Sequence, residues 1–439
     1  MLANVVSLVD RQILSLMVEP IKRDLHVTDT QVGLLAGLAF AMFYSILGVP
    51  IARLSDRANR RNIILAGVFF WNLMAAGCGL ARNYAQLFLA RVGVGVGEAA
   101  LSPAAYSMLA DYFPPRQVAR AISVYVMGIY LGTGLAMVGG SYIVRLAMDM
   151  PALTLPWIGE LYSWQIAFLV SALIGLPMFA LLLTVKEPAR REYASDGSSH
   201  TVTSRVASWL EIRTLLRRRW KFFTALCVGS GCSGTVITAW LVWVPEVMRR
   251  TYDWNVTDAG VYYGVILMVF GMPGAYFGGW MSTVLAARQF RDAEMRSALW
   301  AVTLLLPFAV LVPLAPNATL MLVGLCPLIF LLSWPQGLAP AMVQLVAPNH
   351  MRAQLTAVFM LIAVLTGYTA GGALVAVVSQ IVLRDEAALN IALSLVSGVF
   401  VPGAMLAFWL GLKHYAGARG SNESIVFTEV QQGKDANAI

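Results

Sequence analysis

Apolar runs longer than a soluble core needs dominate this sequence, and they decide its solvent before anything else. Residues 30–54 and 299–314 are two of them. Of the 439 residues, 59% are hydrophobic and only 12% are charged, where a soluble domain carries about a quarter charged residues. A protein core cannot absorb that much apolar surface, so lipid must cover most of it. In lipid the backbone is satisfied only within helices or closed barrels. Barrel strands alternate over segments of about ten residues, and these runs do not alternate. The sequence therefore predicts an all-α integral membrane protein. Its spans fall near 1–18, 31–54, 63–81, 86–110, 119–142, 164–185, 221–245, 259–283, 297–315, 318–345, 352–382 and 389–412.

The net charge of +8 does not point to nucleic acid, because the basic residues lie in short loops beside the apolar runs, where they encode topology. One set of loops holds Arg57, Arg60, Arg61, Arg116, Arg120, the basic residues of 186–221, and Arg288, Arg291, Arg296 and Arg352. The other holds Lys22, Arg23, Arg82, Arg145, Arg249, Arg250 and Arg384. The first set is larger by about three to one, which makes it cytoplasmic. Twelve spans then put both termini inside, in an inner (plasma) membrane. The first span starts at Met1 without a polar leader and carries Asp10 and Arg11 at its middle. A signal peptide has a basic start and an uncharged apolar stretch, so the expectation is a true beginning upstream of Met1. Cys78, Cys227, Cys232 and Cys326 fall within apolar runs and read as small buried hydrophobes. All four histidines lie outside the spans; no metal-ligand spacing exists, and no metal or cofactor is expected.

The longest polar stretch, residues 186–220, divides the chain nearly in half. The expected organisation is a six-helix bundle at 1–185, an interdomain cytoplasmic loop at 186–220, a second six-helix bundle at 221–412 and a cytoplasmic tail at 413–439. Internal repetition supports it: RAISVYVMGIYLGTGLAMVGG starts at Arg120 and RAQLTAVFMLIAVLTGYTAGG at Arg352, aligning Gly139-Gly140 with Gly371-Gly372. Repeated halves with a site at their interface are a transporter architecture.

Four ionisable side chains lie deep inside spans: Asp10, Arg11, Arg91 and Glu98. A charge at the bilayer centre costs at least about 3 kcal/mol, so these are functional candidates by default. Arg91 and Glu98 are two turns apart on one helix face, roughly 10 Å along the axis, with room for Asp10 from a neighbouring helix between them. Such a network can respond to protons: protonating Asp10 or Glu98 would release an arginine. The competing reading is a permanent ion pair that fixes packing. Gly93, Gly95 and Gly97 are close-packing residues of a membrane helix, since no strand and no Lys-Ser frames them as a phosphate loop. Trp240, Trp243, Tyr262, Tyr263 and Phe270 either line a cavity or anchor packing.

Several motifs are similar to those of the major facilitator superfamily. ARLSDRANRR (52–61) resembles its signature after the second span, RVGVGVGEAA (91–100) its arginine-plus-glycine signature in the fourth, and DYFPPRQVAR and KEPARR fit as well. Within it, Asp10-Arg11, Asn59 and GVGEAALSP ending at Pro103 look most like the Spinster branch of lysolipid and sphingolipid transporters. Ala52 and Asn59 stand where the superfamily often has Gly, and GTGLAMVGG lacks the Pro of the antiporter glycine motif. The resemblance implies two six-helix bundles related by a pseudo-two-fold axis around a central cavity. It implies a gate in which Asp56 faces the start of the eleventh helix, with Arg57, Arg60, Arg61, Asp111 and Arg120 around it. It also implies proton-coupled secondary transport by alternating access, acting as a monomer on an amphipathic lipid such as a lysophospholipid or sphingoid phosphate. Arg11, Arg91, Trp240, Trp243 and Tyr262 are the candidate substrate contacts, and membrane lipids and protons the other partners. An organic-anion or sugar-acid symporter, or a drug/proton antiporter, is the alternative within the same fold. A membrane sensor or enzyme is the different class, and the sequence offers it neither a signalling domain nor a catalytic cluster.

Overall fold

The computed structural model describes the chain apart from residues 28–30, 32–34, 36–38, 150–152, 156–158, 194–198, 202–207, 369, 386–387 and 437–439. Among the described residues ten helices are long and apolar enough to cross a membrane: Arg60–Leu80, Tyr84–Tyr112, Pro115–Gly139, Trp164–Leu183, Trp220–Tyr252, Asp258–Ala287, Ala293–Leu314, Ala318–Val346, Asn349–Leu383 and Leu389–Arg419. These are the third to twelfth expected spans. The first two are represented by Leu2–Leu16 and Ala39–Arg57.

Local chemistry sets where the spans begin. Asn59, Asn83 and Asn317 each cap a helix, accepting from the backbone N–H three residues on at 3.0, 3.0 and 2.8 Å. Asn59, a departure from the superfamily's glycine, is thus the residue that starts the third span. The fourth span carries a short turn within it. Tyr84–Glu98 and Leu101–Tyr112 meet at a turn through Ala99 and Ala100. Wide π turns interrupt the eighth span at Leu267–Gly271 and the eleventh at Val364–Tyr368 and Val378–Leu383, a device often found at functional sites.

Packing repeats between the halves. The first span lies against the fifth and sixth, and the third against the fourth and sixth; likewise the seventh lies against the eleventh and twelfth, and the ninth against the tenth and twelfth. Across the halves the fifth packs on the eighth and the eleventh on the second, the pairing a pseudo-two-fold axis requires. The two sequence repeats fall in the fifth and eleventh spans, the helices that reach across. At one crossing a Cβ on Gly279 would lie 2.6 Å from Cα of Arg120, so only glycine lets the two backbones come this close.

One expectation needs correction. The last helix does not stop near 412 but runs Leu389–Ala436. It brings partners to a buried charge outside the expected spans: Glu294, 1% exposed, accepts from the Tyr415 hydroxyl at 2.8 Å and pairs with Arg419 at 2.9 Å. Glu294 heads the ninth span, beyond the expected boundary at 297, and both partners lie in what reads from sequence as a polar tail. The interdomain stretch carries a hairpin pairing Arg191–Tyr193 with Ser199–Thr201 and a short helix, Trp209–Arg218. A second hairpin pairs Leu153–Leu155 with Gly159–Leu161.

Removing Arg419 strands a buried carboxylate, which costs about 3 kcal/mol when a buried pair is broken. Arg419→Ala is therefore expected to lower the melting temperature in detergent, and Glu294→Gln/Arg419→Ala to recover part of the loss. A melting temperature unchanged by Arg419→Ala would return residues beyond 412 to the status of a tail.

Candidate functional site

Four intramembrane charges gather where side chains of the first span reach the fourth. Ser7 and Arg11 are one turn apart and so share a face of the first helix, and that face meets Glu98. The Arg11 guanidinium donates to Glu98 Oε2 from Nε and Nη2, both at 2.7 Å, and the Ser7 hydroxyl donates to the same oxygen at 2.6 Å. Glu98 is the last residue of its helix segment, immediately before the turn at Ala99. Arg11 also stacks over the Tyr44 ring at 5.0 Å, joining the second span to the cluster. A third of the Arg11 side chain remains exposed while that of Glu98 is fully buried.

Asp10 points another way, as the neighbour of Arg11 on a helix must. It is 2% exposed, and neither carboxylate oxygen has a hydrogen-bond partner among the described residues. Arg91, equally buried, approaches the Asp10 backbone carbonyl at 3.5 Å. The four candidates are brought together as expected, but the pairing differs. Sequence spacing suggests Asp10 lies between Arg91 and Glu98; the structure pairs Glu98 with Arg11 and Ser7 instead. Ser7 and Tyr44 carry no charge and so gave no signal in the sequence.

A second network closes the basic end of the molecule. Both Asp56 oxygens accept from the first backbone N–H groups of the eleventh span, Ala353 at 3.0 Å and Gln354 at 2.9 Å. A carboxylate is favoured there by the exposed N–H groups and the helix dipole, and Asp56 is itself fully buried. Asp111 joins the halves a second time. One of its oxygens accepts from Arg352 and from Asn349, each at 2.9 Å; the other meets Arg60. Arg60 also binds Glu187 at 2.7 Å, Arg61 donates its backbone N–H to Glu187 at 2.8 Å, and Arg190 holds the carbonyls of Ser55 and Ala58.

Two expected gate members stand elsewhere. Arg57 is exposed, with no partner among the described residues. Arg120 does not reach Asp111; it donates to the Tyr276 hydroxyl and covers that ring, a separate crossing of the fifth span onto the eighth. Glu187, Asn349 and Arg352 join the network from outside the expected set. The first and last lay inside quoted motifs, KEPARR and the second repeat, but neither motif said what they touch. The space between the second, fourth and eleventh spans, lined by Tyr44, Ala99, Pro103 and Met360, measures about 10 Å³.

The aromatic candidates of the second half do not form one wall. Trp240 is fully buried and donates to Ser397 at 3.0 Å, which makes it a packing residue. Trp243 donates to the Gly372 carbonyl at 2.8 Å, and Tyr262 is exposed, edge-on to Trp254. Among the described residues no group of His, Cys, Asp and Glu is arranged to hold a metal.

The sequence model of the Major Facilitator Superfamily matches residues 1–374. An "MFS-type efflux pump" of Mycolicibacterium smegmatis is 26% identical over 94% of this chain and 91% of its own length. A "Probable L-galactonate transporter" of Escherichia coli is 27% identical over 64% of this chain and 59% of its own. "Protein spinster homolog 1" of Rattus norvegicus is 27% identical over 56% of this chain, which spans under half, 44%, of that protein. Among solved structures, a bacterial homolog of the human lysosomal transporter Spinster, inward-facing and unoccupied, aligns over 95% of this chain and 94% of its own, with a TM-score of 0.58 at 23% identity.

Breaking the Arg11–Glu98 pair from either side leaves a charge in a low-dielectric site. Arg11→Gln is expected to cost about 3 kcal/mol of stability, and the double change with Glu98→Gln less than the sum of the singles; additive melting-temperature losses would show that the two charges do not interact. At the other network, Asp56→Ala orphans two backbone N–H groups and is expected to shift the population toward an open basic end by about 2 kcal/mol. The readout is thiol reactivity at Met360→Cys in a background free of the native cysteines. Equal reactivity with and without Asp56 would dismiss the carboxylate as a latch.

Proposed function

Because the chain belongs to the Major Facilitator Superfamily, and is thereby a multi-pass membrane transporter, we propose that it works by alternating access between its two halves, coupled to protons, on an amphipathic lipid. The observation that carries this reading is the charged cluster between the first and fourth spans. Asp10 is a buried carboxyl without a hydrogen-bond donor among the described residues, a position in which a proton is useful. Glu98 holds Arg11, whose guanidinium stays partly exposed beside Tyr44. That guanidinium suits an anionic head group, which would compete with Glu98 for it. Similarity to Spinster proteins, one of which is named a sphingosine-1-phosphate transporter, supports the lipid class.

The division at 186–220, the orientation and the membrane are part of the same proposal. The basic end is cytoplasmic by its arginines, both termini lie on that side, and the membrane is the inner one. The closed network around Asp56 and Asp111 then corresponds to a transporter shut toward the cytoplasm. A drug/proton antiporter remains the second reading, favoured by the efflux pump matched over nearly its whole length.

Liposomes holding the purified chain, with a proton gradient imposed, test the proposal against lysophospholipids, a sugar acid and cationic drugs. Gradient-dependent movement of a lysophospholipid is expected, along with loss of coupling in Asp10→Asn. Movement of the sugar acid or the drug alone would overturn the lipid reading, and lysolipid movement indifferent to the gradient would overturn the coupling.

A further inference from the structure

A cavity of about 540 Å³ opens on the second half, lined by the seventh span at Trp220, Phe223, Cys227 and Gly231, by Ile362 of the eleventh and by Phe400 of the twelfth. Its volume lies in the usual range of small-molecule sites, about 300–1,000 Å³. The seventh-span residues follow one helical stripe, at spacings of three and four. That helix crosses the eleventh span at Gly231, where a Cβ would sit 2.8 Å from the Thr366 hydroxyl; the gap lies on the Trp220 side of the crossing. None of the lining residues belongs to the first half, which carries all four residues of the charged cluster. Trp220 and Val228 are about half exposed, and within the hydrocarbon depth of a bilayer an exposed apolar face meets lipid chains.

Chemistry at the mouth narrows the occupant. The cavity starts at Leu216 and Trp220, and the sequence there reads Arg217-Arg218-Arg219-Trp220-Lys221. Arg219 is tied to the Val346 carbonyl at 3.0 Å. Arg217, Arg218 and Lys221 are exposed and have no carboxylate partner among the described residues; Lys221 lies 5.8 Å from the Trp220 ring. Just before them, the Trp209–Arg218 helix exposes Trp209 and Leu210, an apolar pair and basic residues on one short helix, as in segments that lie in the head-group layer. Basic residues at that level attract anionic lipids, and an aromatic ring beside them anchors the interface.

We infer that this groove is a binding site for an anionic glycerophospholipid of the bilayer, with an acyl chain between the seventh, eleventh and twelfth spans and the phosphate on Arg217, Arg218 and Lys221. The site is separate from the proposed substrate path, so failure of the transport reading leaves it untouched. A lipid there packs against the eleventh span, whose start Asp56 latches, and so can bias the equilibrium of the basic end without being carried.

Dioleoyl phosphatidylglycerol and dioleoyl phosphatidylcholine, added to the delipidated full chain in detergent and counted by native mass spectrometry, test it. Retention of phosphatidylglycerol over phosphatidylcholine by at least about tenfold is expected, weakening as salt rises. R217Q/R218Q/K221Q, surface changes that leave the bundle intact, should bring the two lipids level. Cys227→Phe should fill the groove and lower retention of both. Equal retention by the parent, or a preference that survives the triple change, would overturn the inference. Displacement of the bound lipid by lysophosphatidylglycerol, with lysolipid uptake lost in Cys227→Phe, would also overturn it, by making the groove part of the substrate path.

Discussion

One carboxylate, that of Asp111, holds arginines from both halves at once, and the closed basic end depends on it. In the low-dielectric interior an ionised carboxylate is tolerated only when its oxygens are filled with donors. Arg60 fills one and Arg352 with Asn349 the other, so the second half completes a site that the first half cannot satisfy alone. Asp56 repeats the logic with backbone donors at the start of the eleventh span. Each contact is a small electrostatic gain set against desolvation, and both link the two halves at the same end.

The fourth span ties this closure to the intramembrane cluster. It carries Arg91 and Glu98 before the turn at Ala99 and Asp111 beyond it. Glu98 is the last residue before that turn. The segment beyond the turn, Leu101–Tyr112, packs on both the second and the eleventh spans. The intramembrane cluster and the Asp111 network thus lie on one and the same span.

Helices, their number and the residues worth watching could be read from the sequence because hydrophobicity and isolated charges are properties of the chain itself. Partner choice could not. Arg11 and Arg91 are equivalent on paper, yet it is Arg11, on a face with Ser7, that donates to Glu98 at 2.7 Å. Arg120 and Arg352 occupy the same place in the repeat, but one finds a tyrosine and the other a carboxylate. Glu294 sat beyond an expected boundary and Arg419 in an expected tail; a hydropathy window cannot see that a polar segment continues a helix long enough to return to the core.

The two buried ties at this end are related by the internal symmetry but opposite in sign. The third span presents Arg60 to Glu187, just after the sixth; the ninth presents Glu294 to Arg419, on the twelfth. Geometry was kept between the halves while polarity was reversed. During insertion, when twelve greasy helices offer each other nearly interchangeable surfaces, a closing helix that docks on the wrong bundle brings arginine against arginine or glutamate against glutamate.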